Sequence, residues 1–263
     1  MMSYPAFKQL LLTSALTIGA LTSLDAAATT LRIGTEGAYP PFNYVTPDGQ
    51  LAGFDVEIGK ALCQQMQADC SFVAQDWDGI IPALQAGKYD VILASMFITE
   101  QRKQQVSFTE PYYKAAMTFV THKEDAISDF SPSALAGKVI GAQSSTTQAD
   151  YIAKVYPDAE LRLYPTQDEA NLDMVNGRLD LMVGDLLPMM EWTTKTKDGD
   201  CCTLAGQLIT DPTYVGEGVG MAVRKTDDAL RQQLNQALDA IVANGTYKTI
   251  NDKYFPINIL TLK

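Results

Sequence analysis

The sequence predicts an α/β protein of two similarly built lobes, each a mostly parallel sheet flanked by helices. Short apolar strands alternate with amphipathic helices, a pattern that implies crossover connections and parallel pairing. The segment LQAGKYDVILAS, from Leu84, is matched in the second half of the chain by MVNGRLDLMVGD, from Met174. A long amphipathic helix follows the second half, which is unexpected for two lobes joined in tandem. We therefore expect the chain to return to the first lobe.

The first lobe should contain three strands with a helix between each pair. In order, the predicted elements are the strand LRIG, the loop TEGAYPPFNYVTPDGQ, a helix from Asp55, the strand SFVAQ, a helix over about 78–86 and the strand DVILAS. Ile58, Leu62 and Met66 recur every fourth residue and place one apolar stripe on the first helix. Pro and Gly pairs interrupt the loop.

The second lobe repeats this order. Its predicted elements are the strand KVIGAQ, a helix over about 146–155, the strand ELRLY, a helix opened by the capping box of Thr166 and Glu169, and the strand LDLMVGD. The strand GVGMAVR then returns to the first lobe, and the spacing of Leu230, Leu234, Leu238 and Ile241 predicts the last long helix. The chain crosses between lobes near 114–116 and 216–220, so two strands form a hinge.

These boundaries predict a discontinuous domain organisation. We expect a signal peptide over 1–28, a first lobe made of 29–114 plus 217–263, and a second lobe over 115–216. The formal net charge of the 263 residues is -11. Such a charge repels polyphosphates and leaves no basic patch to release counterions, so nucleic acid is not an expected partner.

The N-terminal segment has the layout of a secretory signal peptide. Lys8 precedes an apolar run over 10–21, and small residues end at Ala28 in an A-x-A pattern. The alternative is a membrane anchor, but polar residues interrupt the run and it is shorter than the roughly 20 apolar residues of a spanning helix. We expect cleavage after about Ala28 and export to the periplasm.

Export makes disulfide bonds possible. Cys63 and Cys70 lie seven residues apart, so a bridge would tie the end of a helix to the next strand and stabilise the fold by roughly 2.5 kcal/mol. Zinc is the alternative, but the single histidine, His122, has no second nitrogen ligand near it in the sequence. We expect a structural bridge and no metal. Cys201 and Cys202 are adjacent, and either a vicinal bridge or two thiols fits them.

Charged and aromatic side chains follow several strands at the edge where ligands bind in open α/β sheets. Arg102 lies just past DVILAS and suits a carboxylate, while Asp185 ends the matching strand and suits a cation. The stretch SSTTQ, from Ser144, offers hydroxyls and N–H groups at a helix start. Tyr39 and Trp77 can hold an aliphatic stem between two rings. The alternatives are a surface arginine paired with solvent or a neighbouring glutamate, and aromatics that only pack in a lid or core.

The chain resembles the periplasmic solute-binding proteins of ABC importers for polar amino acids, most closely the lysine/arginine/ornithine, histidine and opine binders. The resemblance covers nearly the whole chain after the leader. It rests on IGTEGAYPPF, CQQMQADC, QDWDGIIPAL, the turn ending in ITEQR, GAQSSTTQADY, GRLDLMVGD and ANGTYKTINDKYF. The resemblance implies the two-lobed periplasmic-binding-protein fold.

The resemblance also implies roles for residues that bind the head of an amino acid. Arg102 takes the α-carboxylate and Asp185 the ammonium group. Ser95, Thr146 and Thr147 add hydrogen bonds.

By the same resemblance, Tyr39 and Trp77 sandwich the ligand's side chain and Glu36 faces its far end. An acidic residue there is similar to binders of basic amino acids, and a glutamate resembles the opine-binding branch. The chain departs from the family at Ala94 and Phe97, where basic-amino-acid binders commonly carry serine. Phe97 offers no side-chain hydrogen bond, so a substituted amine, as in an opine, also fits.

We expect a monomeric carrier, not an enzyme, that binds a cationic amino acid or derivative without a cofactor and delivers it to a membrane permease. A periplasmic lyase of the cyclohexadienyl-dehydratase kind is the alternative, with Asp185, Glu36 or Glu217 as acid or base and His122 as a partner if it reaches the cleft. A receptor's sensor domain is a third possibility, disfavoured because no transmembrane or signalling segment precedes Lys263.

Overall fold

A computed structural model describes residues 1–2, 30–125 and 127–261 of the chain. The predicted signal peptide therefore lies, apart from its first two residues, outside the described residues. In the described part, the strands are β1 (Thr30–Thr35), β2 (Ala38–Tyr39), β3 (Asn43–Val45), β4 (Leu51–Ala52), β5 (Asp69–Ala74), β6 (Val91–Ile92), β7 (Ser107–Phe108), β8 (Met117–His122), β9 (Val139–Gln143), β10 (Glu160–Tyr164), β11 (Leu181–Asp185), β12 (Cys202–Ile209) and β13 (Ala222–Val223).

Helices alternate with these strands. They are α1 (Phe54–Met66), α2 (Ile80–Gln85), α3 (Glu100–Lys103), α4 (Thr147–Val155), α5 (Gln167–Val175), α6 (Leu186–Lys195), α7 (Pro212–Val215), α8 (Asp228–Ala243) and α9 (Thr246–Tyr254), with 3-10 turns at Trp77–Gly79, Asp198–Cys201 and Ile259–Thr261. None of the described helices is both long and apolar enough to cross a membrane.

Two five-stranded sheets share one topology. The first has the order β5-β1-β6-β13-β7 and the second has the order β10-β9-β11-β8-β12. In each sheet the first three strands pair in parallel, while the fourth pairs antiparallel with both of its neighbours. Four of the five strands therefore point the same way. The prediction of an α/β fold with two similar, mostly parallel sheets is confirmed.

The matched sequence segments make the same kind of strand-to-strand contact in both sheets. Asp90, which precedes β6, accepts hydrogen bonds from the backbone N–H of Arg32 (3.1 Å) and from its guanidinium. Asp180, which precedes β11, accepts from the backbone N–H of Val139 (2.8 Å) and from the Lys138 ammonium. In each lobe this aspartate ties the central strand to the parallel strand beside it in the sheet, β1 or β9. The repeat in the sequence is thus a structural repeat.

Two extended segments link the lobes. The Tyr112 N–H donates to the Val219 carbonyl and the Val219 N–H donates to the Tyr113 carbonyl, each at 2.9 Å, so the segments run antiparallel. Gly218 has a φ of +126°, and a Cβ there would lie 2.9 Å from the Tyr113 carbonyl oxygen. A glycine is therefore required at this close approach. The antiparallel strand of each sheet, β13 or β8, is the one that arrives directly from the other lobe.

The structure joins Cys63 to Cys70 with Cα atoms 6.2 Å apart, which connects the end of α1 to β5 as predicted. It also joins the adjacent Cys201 and Cys202, the pair that the sequence left open. The long helix α8 buries Leu234, Leu238 and Ile241 and packs against α1. The chain therefore completes the first lobe after it has built the second.

Candidate ligand-binding site

A cavity lies between the two lobes, at the carboxyl ends of their parallel strands. It contains about 390 Å³ of space that protein atoms do not fill, part of which is open to solvent. Its lining consists of Glu36, Tyr39, Trp77, Ala94, Ser95, Phe97, Arg102, Gln143, Thr146, Gln148, Gln167 and Asp185. The structure thus brings together every predicted ligand residue except Thr147. Their roles toward a ligand stay predictions.

Arg102 reaches this cavity because a short helix is capped just before it. Thr99 precedes α3, and its hydroxyl oxygen accepts the backbone N–H of Arg102 at 3.3 Å. One guanidinium nitrogen donates to the Phe97 carbonyl at 3.1 Å, and the guanidinium carbon lies 5.3 Å from the centre of the Trp77 ring. The side chain is therefore held in place by stacking and by one neutral hydrogen bond.

The Arg102 guanidinium is buried, and no residue in the described part of the chain forms an ion pair with it. The residue is 8% exposed, and the described residues place no carboxylate oxygen within 4.0 Å of its nitrogens. Burial lowers its pKa to about 10, while the more distant charges of Asp185 and Asp150 act in the opposite direction. The group remains cationic at neutral pH with donors available to an anion. A planar guanidinium is well suited to bind a carboxylate through two parallel hydrogen bonds.

Asp185, at the end of β11, is 3% exposed and is hydrogen-bonded from both lobes. The Tyr39 hydroxyl donates to its Oδ2 at 2.7 Å, and the Gln148 amide donates to its Oδ1. Burial raises the pKa of Asp185 to about 7, although these hydrogen bonds and the charge of Arg102 oppose the shift. A cation beside Asp185 would favour the charged carboxylate.

Glu36 is a second buried carboxylate in the cavity, at 8% exposure. Its Oε1 accepts a hydrogen bond of 2.6 Å from the Gln143 amide, which lies at the end of β9 in the other lobe. Burial raises the pKa of Glu36 to about 7, and the nearby acidic groups of Asp168, Asp76 and Asp78 add to the rise. The Glu36 end of the cavity is therefore an acidic environment that favours a cation.

Ser95 is held by a buried polar network beneath the cavity. Its hydroxyl donates to Asp55 Oδ2 at 2.9 Å, and its N–H donates to the Tyr112 hydroxyl at 3.1 Å. Tyr112 and Asn43 also donate to the Asp55 carboxylate. Because its own proton is already used, the Ser95 hydroxyl can offer only lone pairs to the cavity. This arrangement suits a ligand ammonium rather than a ligand carboxylate.

Thr146 and Thr147 take different positions at the start of α4. The Thr146 hydroxyl donates to the Gln143 carbonyl at 2.7 Å and accepts the N–H of Ala149 at 3.2 Å, so it caps the helix beside the cavity. Thr147 is buried, and its hydroxyl lies 3.4 Å from Gln148 Oε1. Thr147 is among the residues that line a neighbouring cleft. Its backbone N–H belongs to the first turn of α4, where N–H groups lack intrahelical acceptors.

Contacts across the cleft bring the rims of the two lobes together. The Trp77 indole donates to the Ser145 carbonyl at 3.0 Å, and the Ser144 hydroxyl donates to both carboxylate oxygens of Asp78, at 2.9 and 3.1 Å. With the contacts of Glu36 and Asp185, these bonds join lobe to lobe on several sides of the cavity. The structure is a closed form.

Sequence reasoning missed three amide side chains in the lining, at Gln143, Gln148 and Gln167. Two of them bind the carboxylates of Glu36 and Asp185 directly. A signal was present, because Gln143 ends a strand and Gln148 lies within SSTTQ. Both residues lie at or after the carboxyl end of a strand, which is the same feature that pointed to Arg102 and Asp185.

Comparison with known proteins places the chain in a family. The model of bacterial extracellular solute-binding proteins, family 3, matches residues 31–257. The L-arginine-binding protein of Pseudomonas aeruginosa is 45% identical over 256 residues, which cover 96% of this chain and 98% of that protein. The ABC transporter arginine-binding protein 1 of Escherichia coli is 39% identical over 231 residues, which cover 88% of this chain and 93% of that protein.

A solved structure is similar over the same extent. A Salmonella typhimurium periplasmic binding protein with high arginine specificity superposes with a TM-score of 0.80 at 35% identity, and covers 87% of this chain and 100% of its own. The sequence match, the shared fold and the cavity between two lobes all support the same family assignment. The chain belongs to family 3 of the bacterial extracellular solute-binding proteins.

Proposed function

We propose that this chain binds a cationic amino acid, with arginine as the first candidate, and delivers it to the membrane permease of an ABC importer. One observation carries the proposal: a buried guanidinium, which has no ion-pair partner among the residues that the structure describes, shares a closed cavity with two buried carboxylates. Arg102 supplies the positive group, and Asp185 and Glu36 supply the negative groups.

Arginine complements these three charges. Its carboxylate matches Arg102, its ammonium matches Asp185 and the Ser95 lone pairs, and its guanidinium matches Glu36. Buried charges without partners are costly, so a ligand that supplies all three counter-charges gains most from closure. A neutral amino acid supplies only two of them. Phe97 and Ala94 leave apolar surface near the head group, which an opine's substituted amine would also fit.

The names of the relatives support the transport role and the location. One relative is an ABC transporter arginine-binding protein, and the family is described as extracellular. We propose that residues 1–28 direct export, that the mature chain acts in the periplasm as a monomer, and that lobes of 29–114 plus 217–263 and of 115–216 move about the two crossing strands. Hinge closure around a ligand is the usual motion of periplasmic binding proteins.

The alternative is a lyase that uses Glu36 as an acid, since its pKa of about 7 suits proton transfer at neutral pH. We favour a carrier because the hydrogen bond from Gln143 and the acidic surroundings fit Glu36 to a bound cation. Incubating the protein with its ligand and recording mass spectra separates the two. A carrier returns the ligand unchanged, whereas loss of water or carbon dioxide in step with protein concentration identifies a lyase.

A thermal-shift panel of amino acids, opines and polyamines tests the ligand class. A ligand at about 100 times its Kd adds roughly 2.7 kcal/mol to the free energy of unfolding. We expect arginine to shift the melting temperature more than citrulline, which has the same shape without the guanidinium charge. An equal shift by neutral and cationic ligands would reject the proposed charge matching.

A further inference from the structure

A second cluster of chemically active side chains lies in the second lobe, outside the cavity. It consists of His122, Cys201 and Cys202, which offer a ring nitrogen and two sulfurs that all lie within 4.8 Å of one another. His122 ends β8 and Cys202 begins β12, and the two residues are direct partners in the antiparallel pair. The register of the sheet therefore holds the imidazole against the cysteine pair.

The orientation of His122 is fixed by a backbone contact. Its Nε2 lies 2.6 Å from the Met174 carbonyl oxygen, which can only accept a hydrogen bond. Nε2 must therefore carry the hydrogen, and the lone pair of the neutral ring is on Nδ1. A histidine that binds a metal commonly donates its other ring N–H to such a carbonyl.

The spacing of the three groups also suits a metal ion. Zinc binds thiolate sulfur at about 2.3 Å and imidazole nitrogen at about 2.0–2.1 Å in tetrahedral geometry, so its ligand atoms lie roughly 3.5–3.8 Å apart. Small side-chain rotations can bring three atoms already within 4.8 Å of one another to that spacing. Cys202 is buried, while His122 and Cys201 are half-buried, so one side of the cluster is open to an incoming ion.

We propose that His122, Cys201 and Cys202 form a redox-gated binding site for a thiophilic divalent cation of the zinc or cadmium type. In the oxidised protein the two sulfurs are bonded to each other and the site is closed. A dithiol reductant transfers two electrons and two protons to this bond, which gives two thiols and the oxidised reductant. The cation then displaces both thiol protons, is bound by two thiolates and Nδ1, and keeps a fourth position for water.

The site was not predicted, because 78 residues separate His122 from the cysteine pair and only the pairing of β8 with β12 brings them together. It revises the expectation that the chain binds no metal. It does not depend on the identity of the transported ligand.

Cobalt(II) and cadmium(II) are suitable probes, because thiolate coordination gives both ions charge-transfer absorption. The full mature chain is reduced under conditions in which thiol titration and peptide mapping show free thiols at Cys201 and Cys202. We expect one equivalent of either ion to give saturable thiolate-to-metal absorption, and cobalt(II) to show tetrahedral visible bands. The oxidised protein should show neither.

Two variants complete the test. The double variant Cys201→Ser, Cys202→Ser keeps Cys63 and Cys70 and should lose the absorption, while His122→Gln should weaken cadmium binding at least tenfold. Cadmium should also raise the melting temperature of the reduced wild type and not that of the double variant, which gives a readout independent of absorption. Absorption that persists in the double variant, no absorption in the reduced wild type, or unchanged affinity in His122→Gln would overturn the assignment.

Discussion

At the scale of single residues, Arg102 is the most informative side chain of the cavity. It is buried, cationic and stacked on Trp77, yet it has no carboxylate partner among the described residues. Such an arrangement is unfavourable unless an anion arrives, and the carboxylate of an amino acid is the anion that the proposed function supplies.

Replacing Arg102 with alanine should therefore weaken ligand binding at least tenfold. A hydrogen bond to a charged group contributes about 1.5–3 kcal/mol, and the ligand's carboxylate would be buried without its counter-charge. Calorimetry with arginine measures the loss, and circular dichroism checks that the variant is folded. Arg102→Lys is the matched control, since it keeps the charge but loses the two parallel donors. Its affinity for arginine should lie between that of the wild type and that of Arg102→Ala. Wild-type affinity in a folded Arg102→Ala protein would remove Arg102 from the binding site.

Residue-level prediction selected charged residues near the ends of strands, and two of them, Arg102 and Asp185, line the cavity; their roles toward a ligand stay predictions. It missed Gln143 and Gln148, because an amide carries no charge that marks it as functional. Their partners, Glu36 and Asp185, are also distant in the sequence. Only the approach of the two lobes shows that these amides orient the carboxylates.

At the scale of elements, each lobe places a capped helix start near the cavity, after a residue with a positive φ. After β6, Ser95 adopts a φ of +54° and Thr99 caps α3; after β9, Ser145 adopts a φ of +55° and Thr146 caps α4. Residues other than glycine are uncommon in this left-handed region, and they cluster at functional sites. In each lobe, a turn of this kind leads from a parallel strand into a helix that begins near the cavity.

Thr146→Ala should lower both stability and affinity. Loss of an N-cap hydroxyl costs about 0.5–2 kcal/mol of stability, and here it also frees the Gln143 carbonyl beside the cavity. Thr166→Ala is the matched control, because Thr166 caps α5 in the same way but does not line the cavity. Urea unfolding should show similar losses of stability in both variants. Calorimetry should show weaker ligand binding only in Thr146→Ala, and an equal loss in both would contradict the assigned role.

Local signals identified most elements, since caps such as Thr166 and stripes such as that of α1 depend on nearby residues. These local signals do not predict which residues at a helix start line the cavity. Thr146 and Thr147 are neighbours of one type, yet successive residues of a helix are turned by roughly 100°, and only Thr146 lines the cavity. Similarly, the vicinal pairing of Cys201 with Cys202 could not be read from their spacing.

At the scale of the whole molecule, Glu36 and Asp185 are buried in the closed form, and burial raises the pKa of each to about 7. For an acid whose folded-state pKa is raised, the contribution to stability is present below its unfolded pKa and is lost as the pH rises through about 7. The closed form without ligand is therefore destabilised as the two carboxyls ionise. A bound cation reverses this effect, because it favours the ionised form.

Affinity for arginine should consequently increase as the pH rises from about 5.5 to 7.5, by at most about tenfold per pH unit for each carboxyl that must lose its proton. Calorimetry near pH 6.5 in two buffers of different ionisation enthalpy should detect protons released on binding. Glu36→Gln should release fewer protons and show a shallower pH dependence. Affinity that stays constant or falls over this range would show that these carboxyls do not ionise on binding.

The central claim is that the closed cavity recognises a cation at the far end of an amino acid through Glu36. The most direct measurement is calorimetric titration of the wild type and of Glu36→Gln with arginine and with citrulline, at low and high salt. The wild type should prefer arginine by about 1.5–3 kcal/mol, the contribution of a hydrogen bond to a charged group. Glu36→Gln should lose most of this preference, and high salt should leave the wild-type preference intact because a buried pair is weakly screened. If both proteins bind both ligands equally well, the chain does not select cationic amino acids through this carboxylate.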